Sequence, residues 1–295
     1  MRLLLALLPL FLSLTAAQGA EEWSCKSDGT VRTVTATLAG APAILRIPAK
    51  ATRPPVLLWH GFGPPVSEND LEAALPLDDV PAIKVYLGLP LFGARKPGEG
   101  ELSLPDRQAK DYGLLLFGPA AIGAADELPA VVEALRQHHC LKKSDAVSLF
   151  GFSASGASAL TALAERKVPI DSAILVNPSV GLTSGVAALE RATGHPYEWT
   201  EQSKALAART DAVGRAREIT AGAPALLIIT GTADSVVTSD GPRALNAALA
   251  PLYSEAGQES RLKLAEIPGL GHNWTVPEVR GPVAAQVSDW LNRHS

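Results

Sequence analysis

The sequence predicts an α/β fold with a largely parallel sheet. Short apolar runs alternate with helix-like segments along most of the chain. No internal repeat interrupts that alternation. One junction, Ala146 to Ala164, reads as strand, tight turn and helix, with small residues packed around a serine at the turn.

The elements follow in order. Val31 to Leu38 alternates β-branched residues with others and predicts a strand, and Pro42 to Ile47 its partner across Ala39-Gly40. Val56 to Trp59 is a short buried strand ending at His60-Gly61-Phe62-Gly63. Ala82 to Leu87 is the next. Gly88 to Gly118, rich in Gly, Pro and charge, is expected to be a long loop. Helical spacing runs from Pro119 to Arg136, with proline at an allowed early position. Further strands are expected at Ala146–Phe150, Ser172–Val176, Ala225–Ile229 and Arg261–Ile267, and Val276 to Arg293 predicts a closing helix. Gly181 to Gly222 carries helical content between two strands where a direct crossover would be much shorter. It is expected to form a small helical cap, about residues 181–222, on the side of the sheet that carries the serine turn.

The chain of 295 residues, 47% hydrophobic, is long enough for one large core. Its formal net charge of −4 gives no basic footprint, so no nucleic-acid partner is expected. Met1-Arg2, the apolar run Leu3 to Leu14 and the small residues Thr15 to Ala20 together read as a secretory signal peptide. Cleavage after Ala17 or Gly19 leaves residues 20–295 as a single exported domain, secreted or periplasmic. An uncleaved anchor is the alternative. No later segment reads as a membrane span, so no stable membrane insertion is expected once the leader is removed.

Cys25 and Cys140 are the two cysteines. In an exported chain an even count favours one disulfide, and a loop of this length would be worth roughly 4–5 kcal/mol in the chain-entropy description. Two buried thiols are the other reading. His138-His139-Cys140 is too compact a run to surround one ion, so no metal site is expected.

The chemistry centres on Gly151-Phe152-Ser153-Ala154-Ser155-Gly156. A serine on a sharp strand-to-helix turn projects its hydroxyl above the sheet, while the helix N-terminus directs free N–H groups at the same place. Ser153 has Gly at minus two, which Ser155 lacks, so Ser153 is the candidate nucleophile. A serine hydroxyl needs a base and a group to orient that base. His272, in the loop Pro268-Gly269-Leu270-Gly271-His272-Asn273-Trp274, is the candidate base. Asp234, the first acidic residue beyond the Ala225–Ile229 strand, is the candidate acid, with Asp240 as runner-up. The backbone N–H groups of Ala154 and Phe62 are the candidate oxyanion donors.

In this order and context, these four segments resemble the α/β-hydrolase superfamily. The resemblance covers about residue 30 to the C-terminus and implies an eight-stranded, mostly parallel sheet with helices on both faces. Among its members the compact body is most similar to dienelactone-hydrolase-like and peptidase-like esterases. The implied activity is a serine hydrolase acting on small carboxylic esters through an acyl-enzyme, with no metal or organic cofactor. An exported peptidase or amidase with the same residues is the rival, for which Glu190, Glu198 or Glu201 would have to pair a substrate ammonium. A non-catalytic binding protein of the same fold is a third reading. Trp274, Tyr197 and Trp199 are the expected apolar substrate contacts.

Overall fold

The computed structural model describes residues 23–26, 28–142 and 145–294. The expected leader, residues 1–19, lies outside them. Eight strands, β1 (Arg32–Leu38), β2 (Ala41–Ile47), β3 (Val56–Trp59), β4 (Lys84–Leu87), β5 (Val147–Phe152), β6 (Ile170–Val176), β7 (Ala225–Gly231) and β8 (Leu262–Ile267), form one sheet. Their spatial order is β1-β2-β4-β3-β5-β6-β7-β8. β2 runs antiparallel to both its neighbours, and every pairing from β4 across to β8 is parallel. A parallel sheet must be covered on both faces, which explains why β3, β4, β5 and β7 are buried along their whole length.

Alternate strand residues feed two separate cores. Leu58, Phe150, Ile174 and Leu227 face helices α1 (Glu68–Ala74) and α9 (Pro277–His294). Leu57, Leu149, Ala173 and Leu226 face the other layer. That layer holds α3 (Gly123–Gln137), α4 (Ala154–Glu165) and α8 (Asp240–Glu255).

The expected loop from Gly88 to Gly118 is corrected in its second half. Ser103 accepts a hydrogen bond from Asp106 N–H and starts helix α2 (Leu104–Asp111), with Pro105 in its first turn. The helix then continues as a π-helical segment, Tyr112–Ile122, directly into α3. Pro119 lies inside this segment and has no N–H to give to Leu115 O, its partner in an α-helix; Arg107 Nη1 donates to that carbonyl at 3.4 Å. The resulting helix, Leu104–Gln137, is long and apolar enough to cross a membrane by length and composition, contrary to expectation. Over half of its most apolar stretch is buried inside the protein.

The 181–222 insertion contains α5 (Leu182–Thr193), α6 (Glu201–Thr210) and α7 (Ala216–Thr220). α6 and α7 pack against α4, and Arg209 of α6 reaches Glu165 and Asp126. α5 lies on the π segment, so closely that a Cβ on Gly185 would fall 2.6 Å from Tyr112 OH.

Cys25 and Cys140 are joined as a disulfide. It ties the N-terminal segment to the end of α3, where Trp23 stacks on His138 with ring centroids 3.9 Å apart.

Candidate active site

The parallel strands deliver their C-terminal ends to one edge, and the candidate residues meet there. Ser153 closes β5 with φ 55° and ψ −120°, left-handed territory that a non-glycine residue adopts only under local constraint. The constraint is visible in the glycines around it. A Cβ on Gly151 would lie 2.4 Å from Ser155 O, and one on Gly156 would lie 2.5 Å from Pro178 Cβ. Only hydrogen at these positions lets α4 rise directly from the strand.

His272 Nε2 lies 3.0 Å from Ser153 Oγ. On its far side, Nδ1 is 2.8 Å from Asp234 Oδ2. Asp234 is held in turn, its Oδ1 accepting from the N–H groups of Val236 at 2.8 Å and Val237 at 2.9 Å. The carboxylate side chain is fully buried, whereas the imidazole keeps some exposure, so the polar chain opens to solvent at the Ser–His end. Asp240 is exposed at the start of α8, beside Arg243, and plays no part in this chain.

Ser155 does not compete with Ser153. It is fully buried; its Oγ lies 2.9 Å from both Trp59 O and Phe152 O and accepts from Phe152 N–H. The hydroxyl therefore ties the end of β3 to the turn, a role that the bare motif does not reveal.

The loop after β3 runs against the nucleophile. A Cβ on Gly61 would fall 2.8 Å from the Phe152 ring and 2.9 Å from Ser153 Cβ. His60 supports that loop from below. Leu89 N–H donates to its Nε2 at 3.3 Å, which leaves Nδ1–H to donate to Gly61 O at 2.7 Å. Burial pushes its pKa down to about 4, so the ring is neutral. The Phe62 ring stacks on Phe92 at 4.9 Å. Ala154 is the first residue of α4, so its N–H has no acceptor within the helix.

The expected substrate contacts fare differently. Trp274 is corrected: it is fully buried, packed edge-on against Phe150 and Phe152. The indole went to the core, where Val283, Val287 and Trp290 of α9 belong to the same buried cluster. Tyr197 lines a cleft of about 750 Å³ between α2 and the α5–α6 link, with its OH donating to Asp111 at 2.6 Å. Trp199 packs edge-on against Tyr197. None of Ser153, Asp234 and His272 lines that cleft.

Sheet order, the strained serine turn and a serine–histidine contact at the strand C-termini define a serine hydrolase of the α/β-hydrolase superfamily. The chain belongs to the prolyl oligopeptidase family, whose model matches residues 123–295. Solved structures with the same fold include TT1662 from Thermus thermophilus, at 23% identity and TM-score 0.65, covering 88% of this chain and 98% of that one. Dipeptidyl peptidase 4 from Porphyromonas gingivalis is 13% identical with TM-score 0.60. It covers 90% of this chain, while this chain spans only 35% of it. An esterase/lipase from an uncultured bacterium is 18% identical with TM-score 0.53, covering 92% and 87% of the two chains. No curated protein matches the sequence.

Proposed function

We propose that this protein is an exported esterase that cleaves carboxylic esters through an acyl-enzyme on Ser153. The observation that carries the reading is the unbroken polar chain from Ser153 Oγ through His272 to buried Asp234, at 3.0 Å and 2.8 Å. In the first half-reaction Ser153 Oγ attacks the ester carbonyl while His272 Nε2 takes its proton. The tetrahedral oxyanion rests on the N–H groups of Ala154 and Phe62, and His272 then returns the proton to the leaving alcohol. In the second half, water takes the place of the serine, His272 accepts its proton, and Ser153 departs protonated as the acid is released. Asp234 fixes the imidazole tautomer and offsets its transient positive charge. The steps call for no metal or organic cofactor.

The ester preference draws on the surroundings of the rival's carboxylates. Glu190 accepts from Tyr197 N–H, Glu201 pairs with Lys204, and Glu198 lies exposed along the separate Tyr197 cleft. None of these contacts is with Ser153, His272 or Asp234. The family match favours the second reading, a peptidase. Turnover of matched p-nitrophenyl esters and aminoacyl p-nitroanilides separates them. Ester kcat/KM well above amide kcat/KM supports the esterase, and amide turnover that falls on Glu198→Gln or Glu201→Gln replacement supports the peptidase.

Export is inferred from the basic start and apolar run of residues 1–14. The Cys25–Cys140 disulfide is compatible with it, since such bonds persist in oxidising compartments. An N-terminus beginning at Gln18 or Ala20, measured by mass spectrometry on the extracellular or periplasmic fraction, is the expected result.

A further inference from the structure

The tetrapeptide Val176-Asn177-Pro178-Ser179, where β6 ends, touches both halves of the candidate site. It clamps the nucleophile turn through the backbone: Ser153 N–H donates to Val176 O at 3.0 Å, and Ser179 N–H donates to Ser153 O at 2.9 Å. Pro178 fills the space that only a glycine at 156 leaves open. Asn177 then reaches the other way. It is fully buried, with φ 43°, a left-handed conformation that asparagine tolerates better than most residues. Its N–H donates to Ile229 O at 2.8 Å, and its Oδ1 accepts from Gly231 N–H at 2.8 Å, which fixes it to the end of β7. Its Nδ2 donates to Gly271 O at 2.9 Å and, more weakly, to His272 O at 3.4 Å.

We infer that Asn177 is a positioning residue for the hydrolysis: its carboxamide sets where His272 stands relative to Ser153. The inference rests on the acyl-enzyme reading proposed above. The loop that carries His272 has no strand partner of its own at this point. Its carbonyls at 271 and 272 are held by the Asn177 side chain, and the residues on either side, Val176 and Ser179, fix the nucleophile turn through their backbone. Ser153 and His272, 119 residues apart in sequence, are thereby both tied to the segment 176–179. An amide is suited to the task because one group accepts from β7 while the other donates to the histidine loop. A displacement of an ångström at a general base costs on the order of 10²-fold in rate.

Two variants test it. Asn177→Gly keeps the left-handed backbone and removes every side-chain bond. Asn177→Asp keeps the acceptor for Gly231 but replaces the donor by a carboxyl facing two carbonyl oxygens. Buried there, that carboxyl donates to Gly271 O only while protonated and repels it once ionised. Ester turnover of the wild type and of both variants is measured over the same pH range. Asn177→Asp is expected to add an alkaline fall that the wild type lacks. Asn177→Gly is expected to lose roughly 10²-fold in kcat with KM changed little. Both are measured at temperatures where circular dichroism shows the fold intact.

A residue serving only stability would leave the pH profile and kcat of the folded fraction unchanged, and that result overturns the inference. So does loss of the fold in both variants, which would make Asn177 a folding residue alone. Fluorophosphonate labelling of Ser153 in the wild type is run alongside. Labelled wild type with unaffected Asn177 variants sinks this inference and leaves the acyl-enzyme reading standing. Unlabelled wild type removes that reading and the inference with it.

Discussion

His272 and Trp274 share the ring of Phe152, whose centroid lies 5.2 Å from the imidazole and 6.2 Å from the indole. The imidazole stands 3.0 Å from Ser153 Oγ, while the indole is fully buried and also packs against Phe150. The tryptophan thereby anchors the loop that presents the histidine. Trp274→Ala is expected to cost about 3–5 kcal/mol of stability, as truncating a buried tryptophan commonly does. In the fraction that remains folded, kcat falls more than KM rises. Chemical denaturation and steady-state kinetics together check this, since a substrate-wall tryptophan would instead raise KM with stability nearly unchanged.

Asp234 is expected to act through orientation rather than bulk. Asp234→Asn keeps the size and the capping of Val236 and Val237 but offers His272 no negative charge and favours the wrong tautomer. Turnover of an ester substrate should fall by roughly 10⁴-fold with the melting temperature little altered. A loss below about tenfold would remove Asp234 from the proposed machinery.

Ser155 tests the division of labour within the turn. Its buried hydroxyl accepts from Phe152 N–H and has one proton to give to Trp59 O or Phe152 O, and Ser155→Ala removes both bonds. A loss on the order of 1–3 kcal/mol in stability is expected, with Ser153 still labelled by a fluorophosphonate. Labelling that vanishes in a folded Ser155→Ala protein would reverse the assignment of the two serines.

The strands were legible because each is a short apolar run bounded by turn residues, and four loops could be placed by where those runs end. Asp234 and His272 could be placed at the same edge for the same reason: each is the first titratable residue beyond a strand's C-terminal end. The helix at Leu104 was hidden because Gly113 and Gly118 read as loop residues and Pro119 as the first turn of a new helix, whereas the chain winds through all three as a π-helical segment. Trp274 was misread because a loop without periodicity does not say which side chain faces the core. Asn177 escaped notice because an asparagine before proline at a strand end is an ordinary turn signal. Its bonds to Gly231 and Gly271 depend on segments more than 50 residues away.

His60 gives the stability a pH dependence with a defined sign. Burial lowers its folded-state pKa from 6.5 to about 4, so between these values the unfolded chain binds a proton that the folded one refuses. The stability associated with the neutral ring is therefore fully present above pH 6.5 and is lost as pH falls toward 4. The full difference is worth roughly 3 kcal/mol. Urea unfolding at pH 7.5, 5.5 and 4.5 is expected to show a steeper decline for the wild type than for His60→Gln. Equal slopes would mean that His60 titrates normally in the folded state.

The central claim is that Ser153 is the nucleophile of an ester hydrolase. Its most direct test is hydrolysis of p-nitrophenyl esters, from acetate to palmitate, by the mature wild type and Ser153→Ala. Turnover by the wild type is expected to fall by several orders of magnitude in a folded Ser153→Ala protein. Near-normal turnover in that variant would contradict it.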